Sequence, residues 1–510
     1  MKLTIPCLLA RLAAVAACAM SMQAQAASAP AKCTFSRLAT LPLRYTSPDL
    51  VITTPGSING TPAELLVDTG AYQTFFTRTG TERRNMPLRR TSQVAFGVGG
   101  STHIFETRYT DFSAGFARAP KGIMPVLGDF GFTPSFDGLL GSTFLLQTDV
   151  EISLASKEIT FFHTEHCADT YLGYWGDNVI DIPFKPHDEL GLNPHFTVRV
   201  NGKEMEAIID TGAATSSILR DAAKAAGIAV DQPGLATHRS AGAGARKAAS
   251  WVVSTKTFQI GGETVQNAEL AVVDSRNYGV DVILGADFLR SHRVLFAMSQ
   301  QKLYFSYIGG EPFGQRRKLE PWIQAEADAG NADAQFVLSE AYRRGKQVPR
   351  DDTLAASWLE KAVAGGSPYA LLSSGGALLQ RGEFAAAAIR LRAALDQLPA
   401  ERQGALWLYL ARARAGQSEL ARQELAATFA RSERDEWPKP IADFYLGKLT
   451  LEKLLAQAPA DGAKGRQRHC ETVGSVALWQ MAHGQADQAK ALAAGFAAVC
   501  DSGEKAQDAN

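Results

Sequence analysis

The fold is decided by a stretch that occurs twice in this chain: NGTPAELLVDTGA at residues 59–71 and NGKEMEAIIDTGA at residues 201–213. The two copies align without a gap. The Asn-Gly pair that opens each copy favours a two-residue hairpin turn, because both residues tolerate positive φ. The apolar run that follows predicts a buried strand, which ends at Asp68 in the first copy and at Asp210 in the second.

The duplication extends well beyond this stretch. GLLGSTFL at 138–145 corresponds to VILGADFL at 282–289, and VEISLASKEITF at 150–161 to VLFAMSQQKLYF at 294–305. Each copy also has a small, glycine-rich turn flanked by a predicted hairpin, made of Gly97, Val98, Gly99 and Gly100 in the first copy and of Ala241, Gly242, Ala243 and Gly244 in the second. Internal repetition on this scale predicts two β-rich lobes, over 36–163 and 170–308.

A single Asp-Thr-Gly triplet is weak evidence, since an Asp at the end of a strand is usually just part of a turn. Two triplets at matching places in duplicated lobes predict a paired site, with Asp68 and Asp210 facing each other across a pseudo-twofold axis. Glycine after each Thr leaves room for the loops to approach. Two close carboxyls share one proton, because both cannot ionise cheaply. Such a pair performs general acid–base hydrolysis of an amide and needs neither metal nor other cofactor.

Both lobes resemble the retropepsin-like aspartic peptidases in the apolar pair before Asp-Thr-Gly-Ala, the Gly-rich turn and the later apolar-apolar-Gly. The resemblance covers roughly residues 45–305. It implies that Asp68 and Asp210 are catalytic and that the two turns are flaps, and it assigns supporting roles to Thr69, Gly70, Thr211 and Gly212. Retropepsins obtain two aspartates by dimerising and pepsins by gene duplication. Neither turn carries the Tyr of a pepsin flap, which leaves open which turn closes over substrate.

From about residue 315 to 503 the composition shifts to Ala, Leu, Glu, Gln and Arg with helical periodicity. We therefore expect an all-α domain of stacked repeats. Trp358, Tyr369 and Trp407 occupy apolar helix positions and are predicted to be core residues. The segment resembles Sel1-like and tetratricopeptide repeats at Gly330, Asn331, Ala332, Ala334, Gln335, Tyr342, Gly345, Asp351, Ala355, Trp358 and Ala362. That resemblance implies a protein partner at the helical repeats.

The N-terminus predicts export. Residues 1–26 combine early positive charge, a short apolar stretch and a small-residue cleavage site, as in a signal peptide. A less favoured interpretation is a lipobox that would leave a lipid anchor on Cys18. Removing the signal leaves four cysteines, and an even count in an oxidising compartment suggests disulfides. Cys33 precedes the first lobe and Cys167 follows it, so we expect Cys33–Cys167 and, near the C-terminus, Cys470–Cys500.

Composition excludes several other classes of function. Lys+Arg and Asp+Glu both number 52, so no net field favours nucleic acid or an anionic membrane. No later apolar run is long enough to predict a span of the membrane. The spacing His163-x-x-His166-Cys167 could suit a metal, but no second cluster accompanies it and Cys167 is better explained by the disulfide.

The sequence therefore predicts a multidomain aspartic endopeptidase, with two all-β lobes and a helical-repeat domain. Its expected substrate is a peptide or protein, and its expected location is the periplasm, with secretion or lipid anchoring as alternatives. A second hypothesis is a non-catalytic exported scaffold that binds peptides and uses the helical repeats as its main interaction surface.

Overall fold

The computed structural model describes residues 32–185, 192–230, 232, 235–244, 246–275, 279–314, 318–430, 432 and 436–507. Two β-rich lobes are followed by a helical region. The predicted signal peptide at 1–26 and the alternative lipid site at Cys18 lie outside the described residues.

The first lobe is built almost entirely from short strands. Its elements are β1 (Thr34–Pro42), β2 (Arg44–Thr46), β3 (Val51–Ile58), β4 (Thr61–Val67), β5 (Phe75–Thr77), α1 (Arg78–Arg83), β6 (Arg89–Gly97), β7 (Gly100–Tyr109), β8 (Phe112–Ala114), β9 (Ala117–Ala119), β10 (Gly122–Leu127), β11 (Gly138–Leu140), α2 (Ser142–Leu145), β12 (Asp149–Ser153) and β13 (Glu158–Glu165).

The second lobe repeats this order. Its elements are β14 (Ile180–Pro183), β15 (Phe196–Val200), β16 (Lys203–Ile209), β17 (Ser217–Leu219), α3 (Arg220–Ala225), β18 (His238–Ser240), β19 (Ala248–Ser254), β20 (Thr257–Ile260), β21 (Glu263–Gln266), β22 (Glu269–Val273), β23 (Val282–Leu284), α4 (Ala286–Ser291), β24 (His292–Ala297) and β25 (Lys302–Tyr307).

Both Asn-Gly pairs form the predicted hairpin turns. Asn59 and Gly60 have φ of 51° and 73°, and Asn201 and Gly202 have φ of 51° and 80°. The turns join β3 to β4 and β15 to β16 in antiparallel register. Because the turns fix the register, the two strands that carry the repeated apolar runs end at the same relative place.

Each lobe has its own main sheet. In the first lobe the strand order is β6-β7-β10-β5-β11-β4-β3-β8-β9, with β2 paired to β3. In the second it is β18-β19-β22-β17-β23-β16-β15-β20-β21. Within these sheets β4 runs parallel to β11, and β16 runs parallel to β23.

A third sheet joins the two lobes. Its strand order is β1-β13-β12-β24-β25-β14, and the antiparallel pair β12 and β24 lies at its centre. Val150 and Phe296 are register partners, as are Ile152 and Val294, and all four side chains are buried. These strands belong to the duplicated segments at 150–161 and 294–305, and most apolar side chains of both segments are buried in this shared core.

The helical region contains α5 (Pro321–Asp328), α6 (Ala332–Arg344), α7 (Asp352–Ala364), α8 (Pro368–Gln380), α9 (Phe384–Gln397), α10 (Arg402–Arg414), α11 (Ser418–Phe429), α12 (Lys439–Tyr445), α13 (Leu451–Ala456), α14 (Gly462–Ala482) and α15 (Ala486–Gln507). Several helices begin at a side-chain cap, for example at Asn331, Asp351 and Ser367.

This region packs on the first lobe. The Trp322 ring lies 4.9 Å from the Tyr45 ring, and Asn331 donates a 2.9 Å hydrogen bond to the Tyr45 carbonyl. Arg402 of α10 forms a buried, bidentate ion pair with Glu82 of α1, with distances of 2.6 and 2.9 Å. The helical region is therefore held against the lobe at both of these places.

Two disulfides form as the sequence predicted. Cys33–Cys167 connects the chain just before β1 to the chain just after β13, and Cys470–Cys500 joins α14 to α15. Disulfides of this kind fit an exported protein in an oxidising compartment. Among the described residues, no helix is both long and apolar enough to cross a membrane.

Candidate active site

Asp68 and Asp210 occupy equivalent strand ends in the two lobes. Asp68 directly follows β4, and its N–H donates to the Leu140 carbonyl at 3.0 Å. Asp210 directly follows β16, and its N–H donates to the Leu284 carbonyl at 2.9 Å. Each aspartate is thus fixed by a buried parallel strand, as the apolar-apolar-Gly motif predicted.

The threonines of the two triplets bind each other's loops. The Thr69 N–H donates to Oγ1 of Thr211 at 3.0 Å, and the Thr211 N–H donates to Oγ1 of Thr69 at 3.1 Å. In addition, the Thr69 hydroxyl donates to the Ile209 carbonyl at 2.7 Å and the Thr211 hydroxyl donates to the Val67 carbonyl at 2.8 Å. Both threonines are fully buried, so these four bonds connect the lobes in a dry environment where they are strong.

The two glycines face the carboxyl groups of the opposite lobe. A Cβ at Gly70 would lie 2.4 Å from Cγ of Asp210, and a Cβ at Gly212 would lie 2.6 Å from Cγ of Asp68. Both distances are far below van der Waals contact. Glycine is therefore required at both positions because the carboxyl groups occupy the space of a side chain.

The carboxyl groups of Asp68 and Asp210 interact directly. Burial raises the pKa of Asp68 well above its ordinary value, and the negative charge of Asp210 raises it further. Burial also raises the pKa of Asp210, but a hydrogen bond from the Gly212 N–H and one from Asp68 oppose that rise. The two carboxyls therefore hold one proton between them, and the rise in pKa is the larger at Asp68.

The glycine-rich turns of the two lobes contact each other at their tips. The N–H of Gly99 donates to the Ala243 carbonyl at 2.9 Å, and the N–H of Arg246 donates to the Gly99 carbonyl at 3.0 Å. Gly244 donates to the Asp129 carbonyl at 3.0 Å. The two turns thus lock tip to tip. Sequence reasoning found both turns but missed Arg246 and Asp129, since their role depends on backbone groups that any residue possesses.

Both lobes match one family of proteins. Residues 54–144 and 196–288 each match the family model described as aspartyl protease, and the match does not extend into the helical region. Among solved structures, an aspartic proteinase from Irpex lacteus is 17% identical, with a TM-score of 0.34, and the comparison covers 54% of this chain and 98% of that chain. No curated relative matches the chain.

The aspartyl protease-like lobes support their aspartates differently. In the second lobe, buried Asp287 accepts hydrogen bonds from the N–H and the hydroxyl of Ser216, at 2.8 and 2.6 Å, and the Ser216 hydroxyl also accepts from Gly285. The first lobe has Thr74 and Thr143 at the matching positions. Comparing the repeats letter by letter would have revealed this difference, which makes the second loop the more firmly held.

Two further aspartates, Asp137 and Asp281, lie at matching positions of the two lobes and have structural roles. Asp137 is buried, accepts from Nη1 of Arg83 at 2.6 Å and of Arg84 at 2.7 Å, and caps the N–H of Glu64. Asp281 accepts from the Glu206 N–H at 3.1 Å. Both carboxylates hold strands in register and lie away from the paired aspartates.

Proposed function

We propose that this chain is an exported aspartic endopeptidase whose catalytic pair is Asp68 and Asp210. The observation that carries the proposal is the reciprocal bonding of Thr69 and Thr211, because it brings two aspartate loops from separate lobes to a common point. Arranged around a pseudo-twofold axis, the loops present one protonated and one ionised carboxyl to the same space.

The difference in pKa assigns roles to the two carboxyls. Asp210, ionised, takes a proton from a water molecule, whose oxygen attacks the carbonyl carbon of the peptide bond. Asp68, protonated, donates its proton to the carbonyl oxygen as the tetrahedral intermediate forms. Breakdown of the intermediate passes a proton to the departing nitrogen and returns the pair to its starting state. This division of labour is the general pattern of paired aspartates in proteases.

The closed turns bear on how substrate enters. In this proposal, opening of the bonds of Gly99 to Ala243 and to Arg246 lets a polypeptide enter beneath the turns. Once the chain lies beneath them, the turns can close again and exclude water from the reacting bond. Both turns therefore act as flaps in this proposal, and an extended peptide is the substrate that fits between them.

The remaining features concern location and partners. The two disulfides support residence in an oxidising compartment, and we assign the protein to the periplasm. The helical region, of the Sel1-like or tetratricopeptide type, is assigned to binding polypeptides. Its firm packing on the first lobe means that whatever it binds is held at a fixed place relative to the aspartates.

The test is cleavage of a diverse peptide library by the exported chain and by two variants, Asp68→Asn and Asp210→Asn. Both substitutions keep the size of the side chain and remove the carboxyl. Each is expected to lower cleavage by about 10²- to 10⁴-fold, because neither carboxyl can perform both proton transfers. Peptides that bind the unaltered chain but are not cut over a wide pH range would favour the scaffold hypothesis instead.

A further inference from the structure

A cavity of about 580 Å³ lies between residues 128–134 of the first lobe and the helical region. We propose that this cavity extends the substrate-binding cleft and takes a Lys or Arg side chain of the polypeptide, outside the segment held beneath the flaps. The proposal rests on the proposed function, since it names a feature of the substrate cleaved at Asp68 and Asp210.

The wall formed by 128–134 is continuous with the site. The Asp129 carbonyl accepts the hydrogen bond from Gly244 at a flap tip. Phe130 belongs to a buried apolar cluster against which Ala71, next to the Asp68 loop, and Ala243, at the other flap tip, also pack. A polypeptide leaving the aspartates therefore meets this wall without crossing another part of the lobe.

The opposite wall comes from the helical region and combines aromatic rings with carboxylates. Trp407 and Trp437 both line the cavity. Glu471 accepts a 2.6 Å hydrogen bond from Nε1 of Trp437, and Glu401 accepts a 2.8 Å bond from the Thr133 hydroxyl. These donors are neutral, so they orient the two carboxylates without cancelling their charge.

The charge balance of the lining favours a cation. Its carboxylates are Asp129, Glu401, Glu436 and Glu471, and its basic groups are Arg78 and Arg402. Both arginines are already engaged in bidentate ion pairs, Arg78 with Glu436 and Arg402 with Glu82. A cationic side chain in the cavity would gain the attraction of the remaining carboxylates and of the indole faces.

The test uses the full exported chain with Glu401→Gln and Glu471→Gln combined. Glutamine keeps the size of each side chain and one acceptor oxygen, and it removes the charge. The matched control is Glu419→Gln combined with Glu452→Gln, which removes two charges from exposed positions of the same helical region. The probe is a peptide library made by cutting proteins after Glu, so that internal Lys and Arg remain, and the cleavage products are sequenced.

We expect Lys and Arg to be enriched at a fixed distance from the cleaved bond for the unaltered chain and for the control. The cavity variant should reduce that enrichment by about fivefold or more, as loss of close charge partners does at other interfaces. The proposal would be overturned if the unaltered chain showed no enrichment of Lys and Arg, or if the cavity variant showed the same enrichment as the unaltered chain. An equal loss for peptides with and without basic residues would overturn it too.

A second measurement separates this inference from the proposed function. The same charge variants are placed in the Asp210→Asn chain, which is immobilised and exposed to the same library. Preferential capture of Lys- and Arg-containing peptides that the cavity variant loses supports the cavity assignment even if no chain cleaves. Capture that is indifferent to the two glutamates refutes it, whatever the cleavage result.

Discussion

Thr69 and Thr211 each donate a backbone N–H to the other's hydroxyl, at 3.0 and 3.1 Å, and so tie two lobes whose triplets lie 142 residues apart in the chain. The exchange is symmetrical, and each hydroxyl also donates a hydrogen bond to a backbone carbonyl of the opposite lobe. The position of the two carboxyls is therefore set by the interface between the lobes as much as by either lobe.

Replacing Thr69 with Val tests this interface. The substitution keeps the shape but leaves the buried Thr211 N–H without its acceptor, and it leaves the Ile209 carbonyl with the hydrogen bond from Asn193. We expect a loss of about 1–3 kcal/mol in the free energy of unfolding, together with reduced cleavage because the loops lose their alignment. Urea unfolding and peptide cleavage measure the two effects. Thr69→Ser retains the hydroxyl and should restore most of both; a Val variant as stable and as active as the unaltered chain would contradict the interpretation.

Replacing Gly70 with Ala should damage activity more than stability. The new methyl group would lie 2.4 Å from Cγ of Asp210, and that carboxyl, as the end of a side chain, can move away. A displacement of about 1 Å at a reacting group costs on the order of 100-fold in rate. Steady-state kinetics and thermal unfolding would separate the two effects. The matched control is Gly262→Ala, because a methyl group there meets no atom within 4 Å.

The raised pKa of Asp68 predicts an unusual dependence of stability on pH. A carboxyl whose pKa is raised in the folded state binds its proton more tightly there, so its contribution to stability is complete below the unfolded pKa of about 4 and is lost as pH rises through the folded value. The Asp68→Asn variant has no titrating carboxyl at this position, so its stability does not fall in this way as pH rises. Its Tm should therefore exceed that of the unaltered chain at neutral pH, and the difference should vanish near pH 3.

Thermal unfolding of the two proteins between about pH 3 and pH 8 checks this prediction. Asp137→Asn serves as a comparison, because that buried carboxylate is held by Arg83 and Arg84 and its loss should destabilise the fold. If Asp68→Asn lowers the Tm at neutral pH as Asp137→Asn is expected to, the paired carboxyls do not repel each other as inferred.

Arg402→Met tests how firmly the helical region is held on the first lobe. The substitution removes the bidentate partner of buried Glu82, whose contact with Arg78 is longer, at 3.5 Å. Loss of one partner from a buried ion pair costs about 3–5 kcal/mol. The control is Arg350→Met, because its partner Asp352 is exposed and the loss of a solvent-screened ion pair should change the stability little. Chemical denaturation gives both values, and equal effects would show that the contact at Arg402 is not an anchor.

Sequence reasoning succeeded where local pattern and repetition coincide. The Asn-Gly turns and the strands ending at Asp68 and Asp210 were predicted, because each depends on neighbouring residues alone. The disulfides followed from the placement of four cysteines around two units. Trp407 shows where such reasoning ends. Its position on a helix predicted that it is a core residue, but its side chain is partly exposed and lines the cavity beside the first lobe.

The sequence by itself determined that the chain has two copies of one β-rich lobe and that each copy has a buried strand that ends at an aspartate. Both features could be predicted because hydrophobic periodicity and turn chemistry act over short distances. The tertiary structure alone decided how strongly burial and the charge of Asp210 raise the pKa of Asp68, which backbone groups lock the flap tips, and that Arg402 meets Glu82 from 320 positions away. Burial, the proximity of charges and the contacts between domains arise only when distant segments pack together, and no local pattern in the chain encodes them.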